Sequence, residues 1–261
     1  MNHQESVKDF TLAFDMFYTP IGGFTKQLVI DNKKVSKLRY DLIHEEVHEL
    51  FDAIDTNDFI EIIDALSDIL YVVYGAGVSF GLDLYTSFPK YLVSRNIIDT
   101  FVEKDTHFEM VLGNHQSKES LVIKKNEFTE PDYTSHMKLV TDAMEKGLAA
   151  LKTCLIDFKV LEELEYHLNY MLFTVYNMGK CLHIDLDKSF KIVQDSNMSK
   201  VCQTLDEAEK TVEWYQTKET RYDSPKYYIR DNGTYIVRNE STGKALKCIH
   251  YIPANFTSLL T

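Results

Sequence analysis

Apolar residues recur along this chain at the spacing of an amphipathic helix far more often than they alternate, and that period lays out most of its elements. Val7, Phe10, Leu12, Ala13, Phe14 and Phe17 lie close to one stripe, so a first helix is predicted over residues 6–17 with Ser6 as its N-cap. Thr19-Pro20-Ile21-Gly22-Gly23 breaks it. Val35, Leu38, Leu42, Ile43, Val47, Leu50 and Phe51 then mark a long helix over 34–54. The turn Asp55-Thr56-Asn57-Asp58 caps a second helix over 59–80, which Gly81 ends in a C-cap position. A third helix is predicted over 83–96, kinked or opened by Pro89. Residues 100–132 hold no sustained period and read as a linker with short irregular structure. Helices resume over 135–155, 160–182 and 205–216. From Lys226 onward the period changes to alternation around tight turns, Asn232-Gly233 above all, so strands are predicted over 226–251.

An internal repeat underlies the helical part. At a constant offset of 102, Ile69 to Phe88 lies over Met171 to Phe190, with Val73/Val175, Tyr74/Tyr176, Gly77/Gly179, Asp83/Asp185, Leu84/Leu186, Ser87/Ser189 and Phe88/Phe190 identical. The expected fold is therefore mainly α: two helical-bundle units in one chain with a small C-terminal β-hairpin appendage. The expected organisation is a first unit over 1–104, a linker over 105–132, a degenerate second unit over 133–202, and a C-terminal helix with the β appendage over 203–261.

The two units differ in chemistry. Glu45, Glu46 and Glu49 stand at i, i+1 and i+4 on one predicted helix, and Glu61, Asp64 and Asp68 share a face of the next. Under the offset, Glu45, Glu46 and Glu49 fall on Gly147, Leu148 and Leu151, while Asp64 and Asp68 fall on Tyr166 and Tyr170; only Glu61, over Glu163, keeps its charge. Unpaired, the first set of carboxylates would repel one another, and oxygen-only ligands on rigid helices suit Mg²⁺ or Mn²⁺ shared with substrate phosphates. A solvated acidic face is the plainer reading. It is weakened because Asp64 and Asp68 sit in the strongly apolar run IIDALSDILYVVYG, where a charge needs a partner. His44-Glu45-Glu46-Val47-His48 also satisfies the H-E-x-x-H pattern of a zinc metallopeptidase, with Asp64 or Asp68 available as third ligand. Glu46, Glu49 and the duplication have no role in that chemistry, and His44 and His48 read better as helix-surface residues.

Composition narrows the partners. With 44% hydrophobic residues in 261, the chain can bury a core. A formal net charge of -12 disfavours nucleic acid and anionic membranes, though a free nucleotide neutralised by metal remains open. Cys154, Cys181, Cys202 and Cys248 form no CxxC pair and are expected as reduced, partly buried thiols. No signal-like or membrane-spanning segment is visible, so an intracellular, cytoplasmic protein is expected. Phe14, Phe17, Tyr71 and Tyr74 fit a core better than a base-stacking platform, and Lys200, Lys244 and Lys247 are candidate phosphate contacts.

VKDFTLAF, LRYDLIHEEVHEL, DALSDILYVVYGAGVSFGLDL, SNMSK and GKALKCIHYIPANF, in that order, resemble the all-α nucleoside triphosphate pyrophosphohydrolases of the MazG and phosphoribosyl-ATP pyrophosphohydrolase group, most of all its phage and viral branch. The resemblance implies hydrolysis of a nucleoside triphosphate, probed best as a dNTP, to a monophosphate and pyrophosphate with Mg²⁺. It implies Glu46, Glu49 and Asp68 as metal ligands, with Glu45 as a further ligand or as the group orienting water, and Glu45 or Glu49 as the base. The family's E-x-x-D is broken by Ala65, so Asp64 or Glu61 substitutes. Its N-x-x-K segment is present only as Asn197 and Lys200, since the first unit reads Arg95-Asn96-Ile97-Ile98. Asn96, Asn197, Lys200 and Lys247 are the expected substrate contacts, in one composite site of a pseudo-dimeric monomer or a homodimer. A non-catalytic nucleotide-binding pseudoenzyme is the remaining alternative.

Overall fold

The computed structural model describes residues 2–14, 16, 18–21, 31–95, 98–104, 107–112, 130–157 and 161–259. Eight α-helices occur among them: α1 (His3–Ala13), α2 (Lys33–Thr56), α3 (Phe59–Phe80), α4 (Leu84–Ser94), α5 (Glu130–Lys152), α6 (Leu161–Cys181), α7 (Leu186–Met198) and α8 (Leu205–Thr217). They are joined by two antiparallel hairpins, β1 (Ile98–Lys104) with β2 (His107–Leu112) and β3 (Pro225–Ile229) with β4 (Tyr235–Asn239). The mainly α expectation holds. No helix among the described residues is long and apolar enough to cross a membrane.

α3 is the axis of the fold, and its sequence explains why. From Ile62 to Phe80 every residue except Asp64 and Asp68 is buried, the state expected of a helix apolar all round. It packs on α1, α2, α6 and α7. The preceding turn works as predicted on both sides: Asn57 closes α2 in the left-handed conformation, φ 53°, and the Asp58 side chain accepts from the N–H groups of Ile60 and Glu61 at 3.1 and 3.2 Å. Gly81, φ 67°, closes α3; a Cβ there would stand 2.9 Å from the Pro20 carbonyl.

The residues that match under the repeat do the same structural work twice. Asp83 caps α4 by accepting from Thr86 N–H, and Asp185 caps α7 by accepting from Lys188 N–H, each at 3.1 Å. Gly77 lets Leu84 lie against α3, where a Cβ would meet Leu84 Cδ1 at 2.8 Å; a Cβ on Gly179 would collide with Leu186 in the same way. Tyr74 and Tyr176 share a hydroxyl–hydroxyl hydrogen bond of 3.0 Å, and Tyr176 continues to His3 Nδ1 at 2.9 Å, whose Nε2 lies 2.7 Å from Asp187. One apolar cluster runs from Val7 through Leu70 and Leu172 to Phe256. Phe14, Tyr71 and Tyr74 belong to it, as expected of core aromatics; Phe17 lies outside the described residues.

Several expectations need correction. α1 begins at His3 and ends at Ala13, not at 6 and 17, because the Asn2 side chain caps it by accepting from Glu5 N–H at 3.1 Å. α5 starts at Glu130, within the expected linker, and passes into a π-helical turn, Thr153–Asp157. Residues 98–104 and 107–112, which overlap the expected linker stretch, pair as β1 and β2 with Lys104 opposite His107; Ile98, Thr100, Phe101, Val102 and Val111 give them strand character despite the weak alternation. The predicted strand over 244–251 is not a strand: it meets β4 only through the isolated Arg238–Ala245 bridge and the bond from Leu246 N–H to the Val237 carbonyl, 2.8 Å. The β3–β4 turn is as predicted, with Gly233 at φ 82°.

Candidate active site

α2 and α3 pack along their length, and this brings the acids of both helices close enough for their charges to act on one another along the seam, called the cleft below. Glu46 is half-buried and Asp64 and Asp68 are the two breaks in the buried run of α3; Glu45, Glu49 and Glu61 are exposed at the cleft's edge. Burial first, and the neighbouring carboxylates second, raise the acids' pKa values. Burial, then the charge of Asp68, pushes the Glu46 carboxyl up to about 9. Burial, then Asp64, takes Asp68 to about 7, and burial, then Glu61 and Glu49, takes Asp64 to about 6. Glu49 is raised by burial and then by Glu45. This is the signature of a carboxylate set short of positive charge.

The cations that face it come from elsewhere in the chain. α7 ends at Met198 and delivers Asn197 and Lys200, which hydrogen-bond each other. Lys200 lies over the rings of Phe10 and Tyr251, at 5.7 and 6.0 Å, half-buried. Burial lowers its pKa to about 8, opposed by the facing charge of Asp68 and reinforced by Lys247. Lys247 is exposed, 4.7 Å over Tyr251, and its charge acts on both Asp64 and Asp68. Lys244 Nζ donates to both oxygens of Glu45 at 2.9 and 2.8 Å. Burial works against the Lys244 charge, but the hydrogen bond and the charge of Glu45 outweigh it and raise its pKa.

One strand aligns these lysines. Along the edge not taken by β3, β4 exchanges two 2.8 Å backbone bonds between Tyr235 and Cys202 and, two residues on, accepts from Leu246 N–H at Val237. Lys200 and Lys247 are thereby held two residues and one residue from the same strand. The small C-terminal hairpin expected from the sequence is thus also the anchor of the segments that carry Lys200 and Lys247.

The structure brings together Glu45, Glu46, Glu49, Asp64, Asp68, Asn197, Lys200 and Lys247; Asn96 lies outside the described residues. Lys244 belongs with them although its ion pair with Glu45 spans 199 positions. Phe10 and Tyr251, which sheathe the ammoniums, had no sequence signal beyond aromatic character. The donor set is oxygen-only and partly buried, the chemistry of a hard cation such as Mg²⁺ or Mn²⁺ rather than a soft metal, although among the described residues no three of these acids have donor atoms all within 4.8 Å of one another. His44 and His48 stand on the exposed face of α2 with their Nε2 atoms 3.1 Å apart, in a stripe with Tyr40 and Phe51. Among the described residues no carboxylate joins them in a three-ligand set with donor atoms within 4.8 Å of one another.

A cleft with carboxylates on one wall and ammoniums on the other can hold a metal-bound polyphosphate between them and shift water protons onto an acid of raised pKa. Comparison with known proteins agrees with that chemistry. The family model described as phosphoribosyl-ATP pyrophosphohydrolase matches residues 12–91, which include all of α2 and α3 and most of α4. A protein of Acanthamoeba polyphaga mimivirus, described only as uncharacterized, is 37% identical over 240 residues, covering 91% of this chain and 88% of its own. That likeness extends well past the family match, into the half that carries the lysines. No solved structure matches the chain.

Proposed function

The chain belongs to the phosphoribosyl-ATP pyrophosphohydrolase family of the MazG-like superfamily, and on that premise we propose that it is a Mg²⁺-dependent nucleoside triphosphate pyrophosphohydrolase. The family supports a pyrophosphohydrolase reaction on a nucleotide; the triphosphate substrate, a dNTP first, is the finer reading. The observation that carries it is the pairing of acids and lysines across one cleft, with Asp68 facing both Glu46 and Lys200.

Glu46, Glu49 and Asp68, with Asp64 in place of the acid that Ala65 removes, would hold Mg²⁺. An ion held by these acids would supply positive charge for the triphosphate and for the pyrophosphate as it departs. Asn197, Lys200 and Lys247 bind phosphate oxygens from the opposite wall. Because Lys244 occupies both oxygens of Glu45, Glu49 would be the base, through the carboxylate oxygen that it does not give to the ion. It accepts a proton from water as the water oxygen attacks the α-phosphorus in line; the bond to the bridging oxygen breaks and pyrophosphate leaves. The first helical unit thus supplies the metal half and the second the phosphate half, in a chain we read as a fused pseudo-dimer. We place its work inside the cell, on free nucleotides, and the mimivirus relative suits the viral branch of the family.

The test is pyrophosphate release by the full chain over a panel of dNTPs, NTPs and phosphoribosyl-ATP, with Mg²⁺ and then with chelator. Monophosphate and pyrophosphate are expected, lost on chelation. Glu49→Gln is expected to lower kcat by about 10²-fold or more, the scale of removing a group used at the transition state. Orthophosphate and a nucleoside diphosphate as products, or full activity in Glu49→Gln, would overturn the reading.

A further inference from the structure

A second constellation lies in the other half of the molecule, outside the acidic cleft. Among the described residues, Cys154, Glu163 and His167 are the trio of possible ligands whose donor atoms all lie within 4.8 Å of one another. Glu163 and His167 stand at i, i+4 on one face of α6, and the π-helical turn after α5 presents Cys154 to them. Single π-turns interrupting helices often accompany functional sites. Cys154 is fully buried, His167 half-buried and Glu163 exposed, so the trio is open from the Glu163 side.

We propose that Cys154, Glu163 and His167 form a metal site for a borderline-soft divalent cation, Zn²⁺, distinct from the acidic cleft. One sulfur, one imidazole nitrogen and one carboxylate oxygen are a ligand set that Zn²⁺ takes and Mg²⁺ does not. Zinc bonds of about 2.0–2.3 Å put tetrahedral ligands about 3.3–3.8 Å apart, so the trio closes by about 1 Å, within reach of the exposed Glu163 side chain. Binding displaces the Cys154 thiol proton, which burial otherwise holds on up to about 11. Three protein ligands leave a fourth position for water. The ion would staple the π-helical turn, against which α2 packs, to α6.

The probe is Co²⁺ alone, titrated into the full chain with Mg²⁺ in excess to occupy the acidic cleft. One equivalent is expected to give a thiolate-to-cobalt charge-transfer absorption that Zn²⁺ abolishes by competition. It is expected to persist in Glu49→Gln, vanish in Cys154→Ser, and need at least about tenfold more Co²⁺ in His167→Gln. Cobalt held by His44 and His48 carries no sulfur band. Absence of the band in the unmodified chain, or its survival in Cys154→Ser, overturns the site. Should Cys154→Ser not fold, His167→Gln decides alone, and unchanged affinity there rejects the proposal.

Discussion

The helix pairs α2–α3 and α5–α6 occupy corresponding places under the repeat and have been filled in opposite ways. In the first, Glu45, Glu46 and Glu49 keep the seam polar and partly open, and Asp64 and Asp68 interrupt an otherwise buried helix. In the second, the residues over Glu46 and Glu49 are Leu148 and Leu151, both buried, and the residue over Glu45 is Gly147, where a Cβ would collide with Met171. Tyr166 and Tyr170 replace the aspartates, and Tyr170 packs with Phe173 against Tyr91 and Leu92. The joint that follows each pair, glycine against leucine and a capping aspartate, is unchanged. The two pairs differ in chemistry where side chains face the seam and agree in architecture where residues set the turn.

The comparison is most exposed at Lys200. If the second half supplies phosphate binding to the first half's acids, Lys200→Ala should raise KM about 10–100-fold, the value of one charge-assisted bond, with kcat within a few-fold. Steady-state kinetics on the substrate found by the pyrophosphate assay checks this, and an unchanged KM would separate the two halves. The shared joint predicts matched damage: Gly77→Ala and Gly179→Ala should each cost about 1–3 kcal/mol by overpacking. At about 2–4 °C per kcal/mol for a chain of this size, thermal melts resolve it, and a loss at one glycine alone would break the parallel.

The smallest effect concerns pH. Asp64, Asp68 and Glu46 have folded values of about 6, 7 and 9 against ordinary values of 3.8, 3.8 and 4.5. The folded state holds their protons more tightly, so the stability they lend is full below about pH 4 and is lost as pH rises through 6 to 9. Without Mg²⁺, Tm should fall by a few degrees from pH 5 to pH 9, and Mg²⁺, which binds the ionised form, should recover more at pH 8.5 than at 5.5. A flat profile, or the same slope in Glu46→Gln, would deny that these acids are strained by one another.

Much of this was legible in one dimension. α3 was predicted to the residue, and the boundaries of α2, α6 and α8 to within two, because long apolar stripes with clear caps admit one reading. The acids and Asn197 with Lys200 were found from spacing and resemblance. What escaped was pairing at long range: periodicity tells which face of an element is apolar, and is silent on which segment meets it. Hence Lys244 on Glu45, the ring contacts of Phe10 and Tyr251 to Lys200, and β4 as common anchor of two lysine segments appear only when the chain is folded. Asn2 displaced Ser6 as cap because both residue types serve, and the choice rests on the turn around them. Cys154, Glu163 and His167 have no recognisable spacing, since a π-turn and a helix face bring them together.

The contact between Gly147 and Met171 bears on ancestry. If both halves descend from one active unit, the second lost more than its charges: its helices closed over the vacated space, and a glutamate restored at 147 would now have to expel Met171 from the core. Each acid alone would be a destabilising step toward a site that works only when several are present. Packing would then act as a ratchet, holding the acids of the proposed site to the first half of the chain.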